Sequence, residues 1–369
     1  MIRVLHYIGS LHIGGSQAFV MEMYRKTDRE KVQFDFVTFP DEKGGHYQEI
    51  LQLGGRVFEC PRYKGTQHFA FCKWWDSFLR EHPEYRIVHG HVRSCASIYM
   101  PIAKKRGCVT IAHSHSTSNG KGISALIKAI LQRPIRYVAD YLFSCSDKAG
   151  KWLFGEKAMH QANYRMIPNA VDCERFSFHE QTRLRIRRNL EISEDTFVVG
   201  HVGRFHEAKN HEFLIEVFKE IVQVHPNSKL LLIGDGELRH NIEQLCIECG
   251  IQEKVIFAGM QSDVASFYQA MDVFVFPSLW EGLPVGVVEA QSSGLPCLIS
   301  ETITKDVQLT DLVVYESLEK PAHEWAQKAL LYANKERAGL TEQQTEQLKV
   351  FDSNQVAKEL QEFYLGIVR

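Results

Sequence analysis

Two glutamates eight positions apart, Glu281 and Glu289, are the groups in this chain whose spacing and surroundings point most directly to chemistry. They lie in Phe276-Pro277-Ser278-Leu279-Trp280-Glu281-Gly282-Leu283-Pro284-Val285 and its continuation. The apolar run ending at Pro277 predicts a buried strand, Gly282 a turn, and Pro284 the first position of a helix. The free N–H groups at such a helix start bind an anion or a sugar hydroxyl. Glu281 then precedes the helix and Glu289 lies inside it, so both reach one elongated ligand. Ionised carboxylates accept hydrogen bonds from pairs of hydroxyls, as hexose and ribose present them.

A second strand-to-helix loop carries Gly203-Arg204 and, just before its helix, Lys209-Asn210. An arginine and a lysine flanking one loop can grip a diphosphate from two sides. The run Leu231–Ile233 leads into Gly234-Asp235-Gly236-Glu237, a tight turn whose Asp235 is placed to cap a helix beginning near Glu237. The first loop of the chain, Gly9-Ser10-Leu11-His12-Ile13-Gly14-Gly15-Ser16, lets the backbone approach a ligand closely at the start of a helix. Its spacing is not the G-x-G-x-x-G of a dinucleotide site, which disfavours a dehydrogenase.

Of the 17 histidines, His89/His91 and His113/His115 stand at i, i+2 in strand-like runs. Each pair shares a face and offers two imidazoles to a metal. No Asp or Glu neighbour completes either pair, and the chain contains no D-x-D. A diphosphate held by Arg and Lys needs no cation, so neither metal nor cofactor is expected. Cys246 and Cys249 form a lone CxxC at helical spacing and read as packing residues. The nine cysteines, odd in number and scattered, read as reduced thiols in a cytosolic protein.

The elements that must position these groups alternate between strand and helix. In the first half, strands are predicted at Val4–Ile8, Phe34–Phe39, Arg56–Glu59, Ile87–His91, Thr110–Ser114 and Tyr141–Cys145. In the second they fall at Phe197–Val202, Lys229–Ile233, Val255–Phe257, Val273–Phe276 and Pro296–Ile299. Helical stretches such as Ala18–Lys26, Trp74–Glu81, Glu212–His225 and Leu238–Glu248 lie between them. This is an α/β pattern of parallel sheets covered by helices, in two domains. The boundary falls between Asn169 and Asp195, where Gln181–Asn189 is highly charged, and Asn354–Tyr364 reads as a last helix. Ligands of such domains sit at the carboxyl ends of strands, so functional residues are expected just after them.

The net charge of −2 hides an asymmetry: residues 1–168 carry 24 basic and 14 acidic groups, +10, and the remainder carries −12. Near-neutrality excludes a nucleic-acid binder. No run approaches the roughly 18 apolar residues of a membrane span, and Met1–Leu5 enters a strand without a signal-peptide layout. Lys104-Lys105-Arg106 and the segment 121–141, where Lys128, Arg133 and Arg136 mix with Leu126, Ile127, Ile130, Leu131 and Ile135, fit either an anionic membrane surface or a solvated helix face.

Glu281 and Glu289 form an E-x7-E motif. With Gly203-Arg204, Lys209, Gly234-Asp235-Gly236 and Pro168-Asn169-Ala170-Val171-Asp172, the chain resembles glycosyltransferase family 4, in particular the bacterial capsule and exopolysaccharide transferases of the EpsF type. Ala170 stands where that family commonly has Gly. The resemblance implies a GT-B fold, two Rossmann-like domains facing each other across a crevice. Residues 1–168 would bind the acceptor, 169–353 the donor, and a helix 354–369 would cross back to the first domain. It implies retaining transfer of a hexose from a nucleotide-sugar, UDP-linked, to a glycan or lipid-linked oligosaccharide, at the inner face of the cytoplasmic membrane.

By the same resemblance Arg204 and Lys209 hold the donor diphosphate, Glu289 the ribose, and Glu281 with the backbone of Gly282, Leu283, Pro284 and Val285 the transferred sugar. Gly15, Gly203, Gly234 and Gly259 line the donor, and Gly14 and Gly15 also face the acceptor. The segment Ala112-His113-Ser114-His115-Ser116-Thr117 resembles the family's active-site histidine segment, with His115 the better match and His113 the second. Two other readings stay open: a sugar-nucleotide epimerase or phosphorylase on the same scaffold, and a non-catalytic sugar-nucleotide-binding subunit.

Overall fold

The computed structural model describes residues 1–12, 14–42, 44–115, 123–333 and 337–368, the side chains of Ile123 and Ser124 excepted. The chain divides into two compact units, Met1–Ala170 with Ser353–Arg369, and Val171–Asp352. The charged stretch 181–189 is not a linker. It forms the helix Glu180–Asn189 of the second unit, in which Arg187 is buried and donates to Asp272 Oδ2 at 2.7 Å. Arg183 donates to the other carboxylate oxygen at 2.6 Å, so the helix is docked by charge-assisted hydrogen bonds.

The first unit is built on seven strands: β1 (Ile2–Gly9), β2 (Val32–Thr38), β3 (Val57–Glu59), β4 (Tyr85–Gly90), β5 (Val109–Ser114), β6 (Tyr141–Ser144) and β7 (Tyr164–Met166). They lie in the order β3-β2-β1-β4-β5-β6-β7, and every neighbouring pair is parallel. Successive side chains of a strand point to opposite faces. Val4, His6 and Ile8 therefore leave β1 on one side, toward helices Gly15–Lys26 and Ser353–Ile367, while Leu5 and Tyr7 pack on the other against His68–Glu81 and Ala96–Lys105. The helix Ser353–Ile367 buries Val356, Leu360, Phe363 and Tyr364 in the first face.

The second unit repeats the plan with β8 (Phe197–Val202), β9 (Ser228–Ile233), β10 (Val255–Gly259), β11 (Val273–Phe276), β12 (Cys297–Ser300) and β13 (Val313–Glu316), ordered β10-β9-β8-β11-β12-β13 and parallel throughout. In each unit the strand order reverses beside the first strand, between β1 and β4 and between β8 and β11. Such a switch point opens a crevice at the strand ends.

Two strands escape the sequence pattern, β7 and β13. Both are three- or four-residue edges paired on one side only, and neither carries a run of apolar residues long enough to announce itself. Among the described residues no helix is long and apolar enough to cross a membrane.

Candidate active site

At the switch point of the second unit the loops after β8 and β11 are stitched together. Leu279 N–H donates to Ala208 C=O at 2.8 Å, and Asn210 Nδ2 donates to Pro277 C=O at 3.2 Å. Asn210 holds φ at 54°, a left-handed conformation its short polar side chain tolerates, and turns the chain from Lys209 into the helix His211–Val224. These ties bring Lys209 Nζ to 2.7 Å from Glu281 Oε1, with both side chains mostly buried, and set the ammonium over the Phe276 ring at 4.6 Å. A lysine and a glutamate 72 residues apart in sequence thus share one point at the ends of adjacent strands.

Glu289 sits on the helix Val285–Ser292, and Pro284 is the residue capping that helix rather than its first residue, with φ −78° and ψ 88°. Tyr268 Oη shares its one proton between Glu289 Oε2 at 2.9 Å and Gly286 C=O at 3.1 Å. Burial raises the Glu289 carboxyl above its usual range, against the hydrogen bond from Tyr268 and the charges of Arg175 and Lys209. Tyr268 beside Glu289 is a residue that sequence reasoning missed: it lies on the helix Val264–Ala270, in an apolar context without a motif.

Gly234 has φ 131°, and a Cβ there would stand 2.0 Å from Gly203 C=O, so glycine is required where the β8 and β9 loops meet. Gly234 N–H donates to Gly259 C=O at 2.9 Å, which brings Gly203, Gly234 and Gly259 side by side. Asp235 does not cap the next helix. That helix begins at Arg239, and Asp235 Oδ1 accepts from Gly236 N–H at 2.8 Å while its carboxylate faces Arg239. Arg204 is exposed and pairs with Glu237 at 3.1 Å, so it stands at the rim, whereas Lys209 is inside.

In the first unit Gly14 caps the helix Gly15–Lys26, and a Cβ on Gly15 would meet nothing within 4 Å, so the helix start is open. Ile13, and Ser116 and Thr117 after His115, lie outside the described residues. The histidine pairs are not separate. His6 of β1 joins them, and one cluster forms across β1, β4 and β5. His91 Nε2 lies 3.1 Å from His6 Nδ1, His91 Nδ1 2.8 Å from His115 Nε2, and His89 Nε2 3.1 Å from His113 Nδ1, while His89 Nδ1 meets Tyr364 Oη at 2.6 Å. Burial keeps all five imidazoles neutral, lowering His6 and His115 to about 3, and the nearby Arg93 charge adds to the shift at His115. Sequence reading treated the pairs singly because spacing along one strand does not reveal which strands are neighbours.

The basic motif is largely neutralised, Lys104 pairing with Asp140 at 2.7 Å and Arg106 with Asp76 at 2.8 Å. The helix Ile123–Gln132 exposes Leu126, Ile127 and Ile130, and Tyr137 is exposed just beyond it; residues 121 and 122 of that segment lie outside the described residues.

Two Rossmann-like units, one carrying an E-x7-E pair beside a lysine at its switch point, define a glycosyltransferase of the GT-B class. Residues 182–337 match glycosyl transferases group 1, and residues 13–175 match Glycosyltransferase Family 4. The chain is 36% identical to the putative glycosyltransferase EpsF of Bacillus subtilis over 330 residues, 88% of this chain and 86% of that one. It is 26% identical over 60% of its length to an Escherichia coli UDP-Gal:alpha-D-GlcNAc-diphosphoundecaprenol alpha-1,3-galactosyltransferase, covering 59% of that protein. The solved structure of Anabaena Alr3699/HepE in complex with UDP shares the fold, with a TM-score of 0.76 at 16% identity over 99% of this chain and 100% of that one. The chain belongs to glycosyltransferase family 4.

Proposed function

We propose that this protein is a retaining glycosyltransferase that moves a hexose from a UDP-linked donor to a glycan or lipid-linked oligosaccharide during synthesis of a capsule or exopolysaccharide. The observation that carries the reading is the Lys209–Glu281 pair, 2.7 Å apart at the switch point of the second unit. One partner suits a diphosphate and the other a sugar hydroxyl. The UDP-Gal named for the E. coli relative and the UDP bound in the Anabaena structure of the same fold support the choice of nucleotide.

Arg204 and Lys209 hold the donor diphosphate, Glu289 the ribose hydroxyls, and Glu281 with the backbone from Gly282 to Val285 the hexose. Gly203, Gly234 and Gly259 let the backbone approach the donor. Gly14, Gly15 and His115, with His113 behind it, belong to the acceptor side. The acceptor hydroxyl attacks C1 from the face the diphosphate leaves, the C1–O bond to the β-phosphate breaks, and the departing oxygen takes the hydroxyl proton. Configuration is retained without a protein nucleophile, and Lys209 and Arg204 neutralise the charge on the leaving group, so no metal ion is needed there.

The first unit makes peripheral contact with the inner face of the cytoplasmic membrane through exposed Leu126, Ile127, Ile130 and Tyr137, flanked by Lys128 and Arg133. Sedimentation with anionic vesicles, lost at high salt, is the expected result; no binding at low salt removes this part.

The central test is binding of UDP. Saturating UDP is expected to raise the melting temperature by on the order of 5 °C. Lys209→Ala or Glu289→Ala should remove most of that rise. An unchanged response in both variants would sink the site assignment, and a UDP-induced rise abolished by EDTA would sink the metal-free reading of the diphosphate site.

A further inference from the structure

The five imidazoles of the first unit leave an unbalanced account of protons. A neutral imidazole has one N–H and one lone pair. Along the row His6–His91–His115 the N–H groups must all point the same way. One end of the row is then a donor without an acceptor, and both end nitrogens, His6 Nε2 and His115 Nδ1, lack a hydrogen-bond partner. A third nitrogen, His113 Nε2, is also buried and unpartnered. Ring stacking adds to the density of the cluster, His113 lying 4.0 Å from His115 between centroids.

We propose that His91, His113 and His115 bind a late first-row divalent cation, of the zinc class, at the carboxyl ends of β4 and β5, with a fourth position left for water. One ring nitrogen from each residue lies within 4.8 Å of the others. A tetrahedral site with bonds of about 2.0 Å has edges of roughly 3.3 Å, so the rings need only rotate inward, while the closest pair opens slightly. At that closest pair, His91 Nδ1 and His115 Nε2, the cation replaces the shared proton. His113 Nε2 supplies the third lone pair.

The N–H groups left over on two of the three ligands, His91 and His113, then have acceptors already in place, as ligating imidazoles require, while His115 Nδ1–H at the end of the row gains none. His91 Nε2–H faces His6 Nδ1, His113 Nδ1–H faces His89 Nε2, and His89 Nδ1–H faces Tyr364 Oη. One observation separates this group from the other possible triad, His6, His89 and His91, which is wholly buried. A dication there would have no anion and no water beside it. His115 is only partly buried, and a hydroxide or other anionic oxygen at the open position would offset both the cation and nearby Arg93. The proposal is independent of the transferase reading, because it is measured without donor or acceptor.

The full-length protein, stripped by chelator and dialysed against zinc at neutral pH, is expected to retain one equivalent. X-ray absorption at the zinc edge should show three imidazole nitrogens at about 2.0 Å. His91→Gln should lose the metal while keeping the UDP-induced rise in melting temperature, and His113→Gln should lose the metal. His6→Gln, which removes only a partner of a ligand, should weaken affinity by roughly 10- to 100-fold without abolishing it. Failure of the wild-type protein to bind zinc overturns the proposal, as does an absorption spectrum without imidazole ligands. Loss in His6→Gln with retention in His113→Gln overturns this assignment in favour of the buried triad. If those variants do not fold, His115→Gln, at the partly exposed end of the row, decides: loss of the metal supports this triad and retention overturns it in favour of the buried one.

Discussion

The two switch points share a topology and differ in electrostatics. Between β1 and β4 the first unit places His6, His89 and His91 on one face, with His113 and His115 on the neighbouring strand, and burial strips all of them of charge. Between β8 and β11 the second unit places a lysine against a glutamate. One strand order, 3-2-1-4-5-6, extended by a seventh edge strand in the first unit, thus supports a neutral cluster in one case and a paired charge in the other. The difference lies in residue type at the strand ends, while the crevice comes from the topology.

The largest effect expected from breaking the comparison is acid instability of the first unit. An unfolded histidine titrates near 6.5, whereas folded His6 does so at about 3. Below pH 6.5 the unfolded chain takes up protons the folded cluster refuses, and stability falls by roughly 1.4 kcal/mol per pH unit for each such group. The first unit has five such histidines at its switch point. The second has His201, also held well below its usual range by burial, and His211 at about 4. Hydrogen exchange between pH 7 and pH 5 should therefore show protection lost faster in the β1–β4–β5 region than in β8–β11. Equal loss would mean the cluster is not kept neutral.

Next comes Lys209→Ala, expected to lower transfer by roughly 100-fold or more through lost stabilisation of the leaving diphosphate. Measured as kcat against KM, the loss should fall on both, KM rising with the weakened UDP binding and kcat falling with the lost stabilisation of the leaving group. A change confined to KM would make Lys209 a binding residue only. Glu281→Gln is a smaller perturbation that removes the charge facing Lys209 while keeping its shape. Transfer is expected to fall by about 10- to 100-fold, the range of one charge-assisted hydrogen bond. UDP binding should persist if Glu281 serves the sugar as proposed; loss of UDP binding would show that the ion pair shapes the diphosphate loop instead.

Tyr268→Phe should have the smallest effect. It deletes one hydrogen bond to the Glu289 carboxylate, and UDP affinity is expected to weaken by about 3- to 10-fold with little change in kcat. No change would show that Glu289 is held by its helix alone.

Much of this was legible in the chain itself. The strands β8 and β11 coincide with their sequence-predicted spans, since alternation of buried apolar runs with amphipathic helices is a local property. The candidate residues Glu281, Glu289, Arg204 and Lys209 stood out in the sequence because glycine and proline mark strand-to-helix turns in any sequence. The edges β7 and β13 were not visible, because a short strand paired on one side needs little hydrophobic content. Nor was the role of the stretch 181–189, since a charged helix and a charged linker look alike until Arg187 finds Asp272.

The sequence by itself determined the two α/β units, the family, and the loops that carry the candidate site residues, because periodicity and turn chemistry act over a few residues. Only the tertiary structure decided which groups share a point in space. Lys209 meets Glu281 across 72 positions, Tyr268 meets Glu289 across 21, and His6 meets His91 across 85. Those meetings follow from parallel strand order and register, which bring distant segments together and which no local pattern encodes.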